Sequence, residues 1–279
     1  MAHSWVCSGY RKAIIDRRKS LQTSAGAVLL LLATSVTTPF STAQAAGSPK
    51  QLRVFAAADL VPVMPALAQL YEQKTGVKLK VSTGSSGMMT TQIENGAPAD
   101  IFLGADFTFP EKLVADNLTD AKAPIAYARG TLVLFARKDS PLQPLDLDRL
   151  RDPRAQKIAV ADETHAPYGR AAMSALTRMH FIDAVRPRLV IAENVAQTGQ
   201  FVESGNAQLG LISLTLASSE RYRQVGTYVI VPASQYPEIR QCAVVIAKGN
   251  TAEAHAFLKW LLSSDIQQKL PNVGLRPAE

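Results

Sequence analysis

The chain has 279 residues, 47% of them hydrophobic and 19% charged, which is typical of a folded globular protein. Its formal net charge is +7, but residues 1–45 hold five basic residues and one acidic residue. The remaining 25 basic and 22 acidic residues give a net charge of only +3. No block of lysine and arginine follows residue 45, and this argues against a nucleic-acid-binding protein.

The first 46 residues have the pattern of an export signal. A basic stretch over Arg11–Lys19 precedes an apolar run over 25–33, and small residues follow up to Ala45. This order predicts a signal peptide over residues 1–46, cleaved after Ala45 or Ala46, and a periplasmic mature protein. The apolar run is shorter than the roughly 20 residues of a membrane span, so an anchor is the less favoured interpretation. A pair of arginines in the basic stretch leaves twin-arginine export open as an alternative.

The two cysteines predict neither a disulfide nor a lipid anchor. Cys7 lies upstream of the apolar run rather than at the cleavage site. Cys242 is then the sole cysteine of the mature chain, and it lies in the apolar run 242–247. We interpret it as a buried thiol in a strand.

From residue 47 onward, short apolar strands alternate with amphipathic helices. In the first half the pattern predicts strands over 52–57, 77–82 and 99–104 and helices over 60–74, 85–94 and 110–116. Later it predicts strands over 157–161, 189–192 and 210–213 and helices over 169–178, 195–204 and 252–262. Such alternation is typical of βαβ units and parallel sheets.

Two apolar, β-branched segments interrupt this alternation. They are Thr131–Ala136 and Thr227–Val231, and we interpret them as two extended crossings between lobes. Lobe 1 would then consist of residues 47–129 plus 236–279, and lobe 2 of residues 130–235.

Four loops share one design, in which small or polar residues separate the end of a strand from the start of a helix. The first N–H groups of a helix lack intrahelical acceptors and carry partial positive charge. Ligands of open α/β sheets bind at the carboxyl ends of the strands, where all four loops are expected. Together they would bind an anion without lysine or arginine, although any one of them alone is equally an ordinary helix cap. The loops are Ala57-Ala58-Asp59, Gly84-Ser85-Ser86-Gly87, Ala166-Pro167-Tyr168-Gly169 and Glu193-Asn194-Val195.

These loops and their neighbours resemble the periplasmic molybdate-binding proteins of the ModA family. The resemblance covers about residues 50–276 and is carried by the strings Phe55–Leu60, Gly84–Gly87, Gln92–Phe102, His165–Gly169, Glu193–Val195 and Leu209–Ile212. It implies an α/β, two-lobed type II periplasmic-binding-protein fold with two hinge crossings. It also implies a monomeric binding protein, not an enzyme, that holds molybdate or tungstate for an ABC transporter permease and has no cofactor.

By the same resemblance, the oxyanion ligands would be Asp59, Ser86, Tyr168, Val195 and Ser213, with no protein group bound directly to a metal ion. Ser86 would donate its N–H and hydroxyl, and Tyr168 and Val195 their N–H groups. Many family members have serine at position 59. The carboxyl of Asp59 is expected either to turn away and cap its own helix or to be protonated and donate a hydrogen bond. Ser213 stands where some members have tyrosine, and Tyr168 is an alternative source of a phenol.

One alternative keeps the fold and changes the ligand to sulfate, phosphate or an organic acid. An organic carboxylate is usually held by an arginine, because a guanidinium binds it through two parallel hydrogen bonds. Arg129, Arg137 and Arg170 are the candidates for that role.

A second alternative is a serine hydrolase. Ser86 would be the nucleophile, His165 the base and Asp162 the group that orients it. The string Gly84–Gly87 does not match the G-x-S-x-G nucleophile elbow, so we do not expect an enzyme.

Overall fold

The computed structural model describes residues 50–279. The predicted signal peptide and its cleavage site lie outside this range. No helix within residues 50–279 is long and apolar enough to cross a bilayer.

The described residues form two sheets. The strands are β1 (Gln51–Ala57), β2 (Lys78–Gly84), β3 (Ile101–Gly104), β4 (Ile125–Arg129), β5 (Leu132–Arg137), β6 (Ile158–Ala161), β7 (Leu189–Ala192), β8 (Leu209–Ser213), β9 (Gly226–Ile230), β10 (Arg240–Val245) and β11 (Arg276–Pro277). The first sheet has the order β11-β4-β10-β3-β1-β2 and the second the order β7-β6-β8-β5-β9. We call the part of the chain built on the first sheet the first lobe, and the part built on the second sheet the second lobe.

Helices connect most of these strands, and the longer ones follow the predicted amphipathic segments closely. They are α1 (Met64–Thr75), α2 (Ser86–Glu94), α3 (Thr108–Ala115), α4 (Pro167–Arg178), α5 (Ile182–Val185), α6 (Val195–Glu203), α7 (Leu214–Ala217), α8 (Glu220–Val225), α9 (Thr251–Leu261) and α10 (Ser264–Gln267). A short 3-10 turn, Ala58–Leu60, precedes α1. The predicted helix over 60–74 therefore begins later than expected.

β1 is packed on both faces of the first sheet, since successive side chains of a strand point to opposite sides and both sets are covered here. In β1, Val54 packs in the cluster that contains Tyr71 of α1 and Phe257 of α9, whose rings meet edge to face with centroids 5.0 Å apart. The neighbouring Phe55 packs on the other face with Met89 of α2.

The sheets are mixed rather than purely parallel. β1 pairs in parallel with β2 and β3, but β10 runs antiparallel to both β3 and β4. In the second lobe, β6 is parallel to β7 and β8, whereas β5 is antiparallel to β8 and β9.

The two segments predicted to cross between the lobes are not crossings. They form β5 and β9, which pair with each other inside the second sheet. Their apolar, β-branched side chains suit a buried antiparallel pair as well as they suit an extended connection. The chain changes sheet just outside them, between Arg129 and Leu132 and between Ile230 and Arg240.

Strand register brings the predicted loops together in pairs. Ala57 at the end of β1 lies opposite Gly84 at the end of β2. In the second lobe, Ala161 at the end of β6 lies opposite Ala192 at the end of β7. Each lobe therefore presents two adjacent strand ends at the same edge of its sheet.

Candidate functional site

The two pairs of strand ends meet at one small cavity between the lobes. Its volume is about 10 Å³, room for roughly one water molecule. All four predicted loops contribute to its lining, and no lysine or arginine is among these residues. The lining consists of Ala57, Ala58, Asp59, Ser85, Ser86, Ala105, Ala166, Pro167, Tyr168, Asn194 and Val195.

On the first-lobe side, α2 begins at the cavity. The side chain of Ser85 caps this helix by accepting a hydrogen bond from the N–H of Met88 at 3.3 Å. Ser86 is the first helical residue and is buried. Its Oγ accepts a hydrogen bond from the N–H of Ala105 at 3.1 Å, so the hydroxyl proton of Ser86 remains available for an acceptor in the cavity.

On the second-lobe side, α4 and α6 begin at the cavity. Tyr168 is the second residue of α4 and follows Pro167, which has no N–H. A Cβ at Gly169 would overlap the backbone of Ala161 and Asp162, so only glycine lets α4 start this close to the end of β6. At α6, Asn194 caps the helix through the N–H of Gln197 at 3.0 Å, and Val195 is the first helical residue.

Asp59 lies at the centre of a buried hydrogen-bond network. Its side chain is fully buried, and Oδ2 accepts hydrogen bonds from Nε2 of Gln241 and, at 3.4 Å, from the hydroxyl of Tyr168. The hydroxyl of Tyr127 donates to Oε1 of Gln241 at 2.7 Å, which turns the amide NH₂ of Gln241 toward Asp59. Thr215 donates to the backbone carbonyl of Asp59 at 2.6 Å. The other carboxyl oxygen, Oδ1, is buried without a hydrogen-bond partner.

Burial makes Asp59 a weaker acid than a solvent-exposed aspartate. Desolvation raises its pKa from 3.8 to about 7, against the opposing effect of the hydrogen bonds from Gln241 and Tyr168. Burial also raises the pKa of the Tyr168 and Tyr127 phenols well above 10, so both stay protonated and donate.

The structure thus brings four of the five predicted ligands, Asp59, Ser86, Tyr168 and Val195, to one cavity. The expectation that Asp59 caps its own helix is wrong, because the 3-10 turn has no side-chain cap and the carboxyl points into the network. The phenol of Tyr168 is directed at Asp59.

Ser213 is the exception among the predicted ligands, because it is absent from the cavity lining. Its Oγ accepts from the N–H of Leu216 and lies 2.7 Å from the hydroxyl of Thr215. Ser213 therefore caps α7 and supports the Asp59 turn through Thr215.

Further contacts join the lobes around the cavity. The N–H of Gly87 in α2 donates to the carbonyl of His165 at 2.9 Å. Arg170 of α4 forms an ion pair with Asp106, which follows β3. The lobes are therefore in direct contact beside the cavity.

The three arginines considered for an organic acid have protein partners and do not line the cavity. Arg129 pairs with Glu238, Arg137 with Asp139, and Arg170 with Asp106. This arrangement does not favour an arginine clamp.

The hydrolase arrangement is not formed either. Oδ1 of Asp162 accepts from the N–H groups of Thr164 and His165, so it holds its own loop. The hydrogen bond that the structure places on Ser86 Oγ comes from Ala105 rather than from His165. Among residues 50–279, no three histidine, cysteine or acidic side chains cluster as a metal site.

Gln241 and Tyr127 are site residues that the sequence analysis missed. Both are buried. Gln241 of β10 donates to Asp59, and Tyr127 of β4 donates to Gln241. Only Gln241 could have been noticed in the sequence, since it is a polar residue directly before the apolar run that contains Cys242. Cys242 is buried in β10 as predicted.

Comparisons with known proteins agree with this architecture. Residues 52–276 match the family described as bacterial extracellular solute-binding protein. The chain is 36% identical over 213 residues to the molybdate-binding protein ModA of Azotobacter vinelandii. The aligned region covers 76% of this chain and 84% of that protein.

Solved structures give the same result. The periplasmic molybdate-binding protein of Azotobacter vinelandii is similar with a TM-score of 0.74 and 30% identity, covering 80% of this chain and 98% of that one. The sulfate-binding protein SubI from Mycobacterium tuberculosis H37Rv, 17% identical, shares the fold with a TM-score of 0.70 over 82% of this chain and 88% of that one. The predicted two-lobed type II fold is confirmed.

Proposed function

Because this chain belongs to the bacterial extracellular solute-binding proteins and, within them, to the molybdate-binding ModA family, we propose that it binds molybdate between its two lobes and delivers it to the permease of an ABC transporter. Tungstate, which has nearly the same size and charge, is expected to bind as well. Both steps would take place in the periplasm, after export and removal of the signal peptide.

The observation that carries this proposal is the composition of the cavity. Three helix starts, at Ser86, Tyr168 and Val195, face it from both lobes, and none of its lining residues is a cation. Unpaired N–H groups and hydroxyls at such positions would replace the hydration shell of an oxyanion. Each hydrogen bond to a charged oxygen contributes roughly 1.5–3 kcal/mol. A handful of them, less the cost of desolvation and of closing the lobes, is enough for submicromolar affinity.

The ion pairs of three arginines favour an inorganic anion over an organic acid. Arg129, Arg137 and Arg170 are each paired with an acidic side chain, and none of them lines the cavity.

The proposal is tested by calorimetric titration and thermal unfolding of the periplasmic protein with molybdate, tungstate, sulfate, phosphate and small carboxylates. A ligand at 1,000 times its Kd stabilises a protein by about 4 kcal/mol, which raises the Tm of a domain of this size by roughly 10 °C. We expect this shift with molybdate and tungstate. A shift with sulfate or a carboxylate alone would refute the ligand assignment.

Ser86→Ala tests the site itself. The variant loses one hydroxyl donor to the anion, so we expect molybdate affinity to fall roughly 10- to 100-fold. Thr91→Ala is the matched control, because it removes an exposed hydroxyl from the same helix. Unchanged affinity in Ser86→Ala would show that the anion binds elsewhere.

A further inference from the structure

The carboxyl of Asp59 presents an unusual feature in a cavity proposed to receive an anion. Asp59 lines the cavity and is completely buried, yet Oδ1 has no hydrogen-bond partner. A buried polar oxygen without a partner is costly, and an ionised carboxylate would in addition repel the ligand.

The hydrogen bonds around Asp59 distinguish its two oxygens. Oδ2 accepts from the amide of Gln241 and from the hydroxyl of Tyr168, so it behaves as a carbonyl oxygen. The orientation of Gln241 is fixed in turn by Tyr127, which donates to its amide oxygen. A proton on Asp59 therefore resides on Oδ1, and Oδ1–H is then a donor that the protein leaves without an acceptor.

The groups packed around Asp59 do not stabilise its ionised form with a positive charge. Neutral phenols face the network from β4 and α4, Gln241 faces it from β10, and the hydroxyl of Thr215 reaches the backbone of Asp59 from α7. Burial raises the pKa of the nearby Cys242 thiol to about 12, so this group is neutral too. Asp106 follows Ala105 of the lining and is paired with Arg170, so this pair carries no net charge.

We propose that Asp59 binds the oxyanion in its protonated form, with Oδ1–H donating a hydrogen bond to one oxygen of the bound dianion, so that binding takes up a proton. This inference rests on the proposed function and adds a specific role for position 59. When the free protein holds Asp59 ionised, one proton from solvent bonds to Oδ1 as the dianion enters, and no other bond forms or breaks. The net charge of the occupied cavity is then that of the anion alone, because the added proton neutralises the carboxylate.

The coupling predicts a particular dependence of affinity on pH. Burial places the pKa of Asp59 at about 7 before the ligand binds. Below this pH the affinity for molybdate should be constant. Above it, Kd should rise about tenfold per pH unit, because each binding event must first protonate the carboxyl.

The experiment is calorimetric titration of molybdate from about pH 6 to about pH 9, in buffers with different ionisation enthalpies. At about pH 8 we expect uptake of close to one proton per anion bound by the wild-type protein. Asp59→Asn keeps a neutral donor at the position of Oδ1 that cannot ionise, so its Kd should not vary between about pH 6 and about pH 9 and binding should take up no proton. Asp59→Ser, with the hydroxyl that many family members have, should behave in the same way if the asparagine variant does not fold. Asp183→Asn is the matched control, since it removes an exposed carboxylate in the second lobe and should retain the wild-type profile.

A flat wild-type profile, or the same slope in wild type and Asp59→Asn, would overturn the inference while leaving the proposed function intact. Loss of molybdate binding by a folded Asp59→Asn would also overturn it, because a neutral donor would then be insufficient. Tight binding of inorganic phosphate that disappears in Asp59→Asn would show that the carboxylate accepts a proton from the ligand instead. If neither molybdate nor tungstate binds to any variant, the proposed function fails.

Discussion

Replacement of Asp59 by asparagine should stabilise the ligand-free protein at neutral and alkaline pH. The side chain is fully buried, and its pKa rises from 3.8 to about 7 on folding. A raised pKa means that the folded chain holds a proton that the unfolded chain releases between these values. The stability associated with this proton is fully present below pH 3.8 and is lost progressively as pH rises toward 7. Asparagine has the same shape and does not ionise, so the variant should not show this loss.

The magnitude follows from the shift. At about 1.4 kcal/mol per pH unit, ionised Asp59 lowers the free energy of unfolding by about 4 kcal/mol above pH 7. Between pH 5 and pH 8, the advantage of Asp59→Asn over the wild type should therefore grow by about 3 kcal/mol, or roughly 10 °C in Tm. The comparison across pH cancels any constant cost of the substitution.

Urea unfolding without ligand, followed by the fluorescence of the buried Trp260, measures this difference. Asp183→Asn should keep the pH dependence of the wild type, because that carboxylate is exposed in the folded chain. An advantage of Asp59→Asn that is the same at pH 5 and pH 8 would refute the conclusion that Asp59 is a weak acid in the folded protein.

Two further predictions concern other buried groups. Gly130→Ala would place a Cβ against the hydroxyl of Tyr168 and 3.0 Å from Ile239, so we expect a loss of about 1–3 kcal/mol in unfolding free energy and weaker molybdate binding. Tyr168→Phe in the same chain should recover part of this stability, whereas equal losses with Tyr168 and with Phe at this position would exclude the clash as the cause. Burial raises the pKa of the Cys242 thiol to about 12, so iodoacetamide at about pH 8 should modify this thiol only after unfolding in urea. Mass spectrometry follows the modification, and rapid labelling of the folded protein would contradict the burial of Cys242 in β10.

The sequence predicted the parts of the fold that depend on local pattern. The ends of β1, β2, β6 and β7 and the helix starts after them follow from periodicity and capping residues. For this reason the four donor loops can be located from local sequence alone. The same rules were ambiguous for β5 and β9, because an apolar β-branched segment fits a strand of a sheet as well as a connection between lobes.

Local sequence pattern could not predict contacts between segments that are far apart in the sequence. Gln241 lies 182 residues from Asp59 in sequence, and only the antiparallel placement of β10 brings it beneath the cavity. The role of Ser213 depends on a hydroxyl two residues away that reaches the Asp59 turn from the other lobe. Family resemblance alone could not reveal that this hydroxyl is already engaged.

The even division of the donor loops between the lobes has a kinetic consequence. Register in each sheet gives each lobe one pair of strand ends, at Ala57 and Gly84 in the first and at Ala161 and Ala192 in the second. An anion held in this cavity would accept hydrogen bonds from both lobes and so hold them together, and either lobe alone would provide only part of the donors. Its escape rate would be set by how often the hinge opens rather than by competition from other anions. A transporter that separates the lobes would therefore unload the cargo in a single movement.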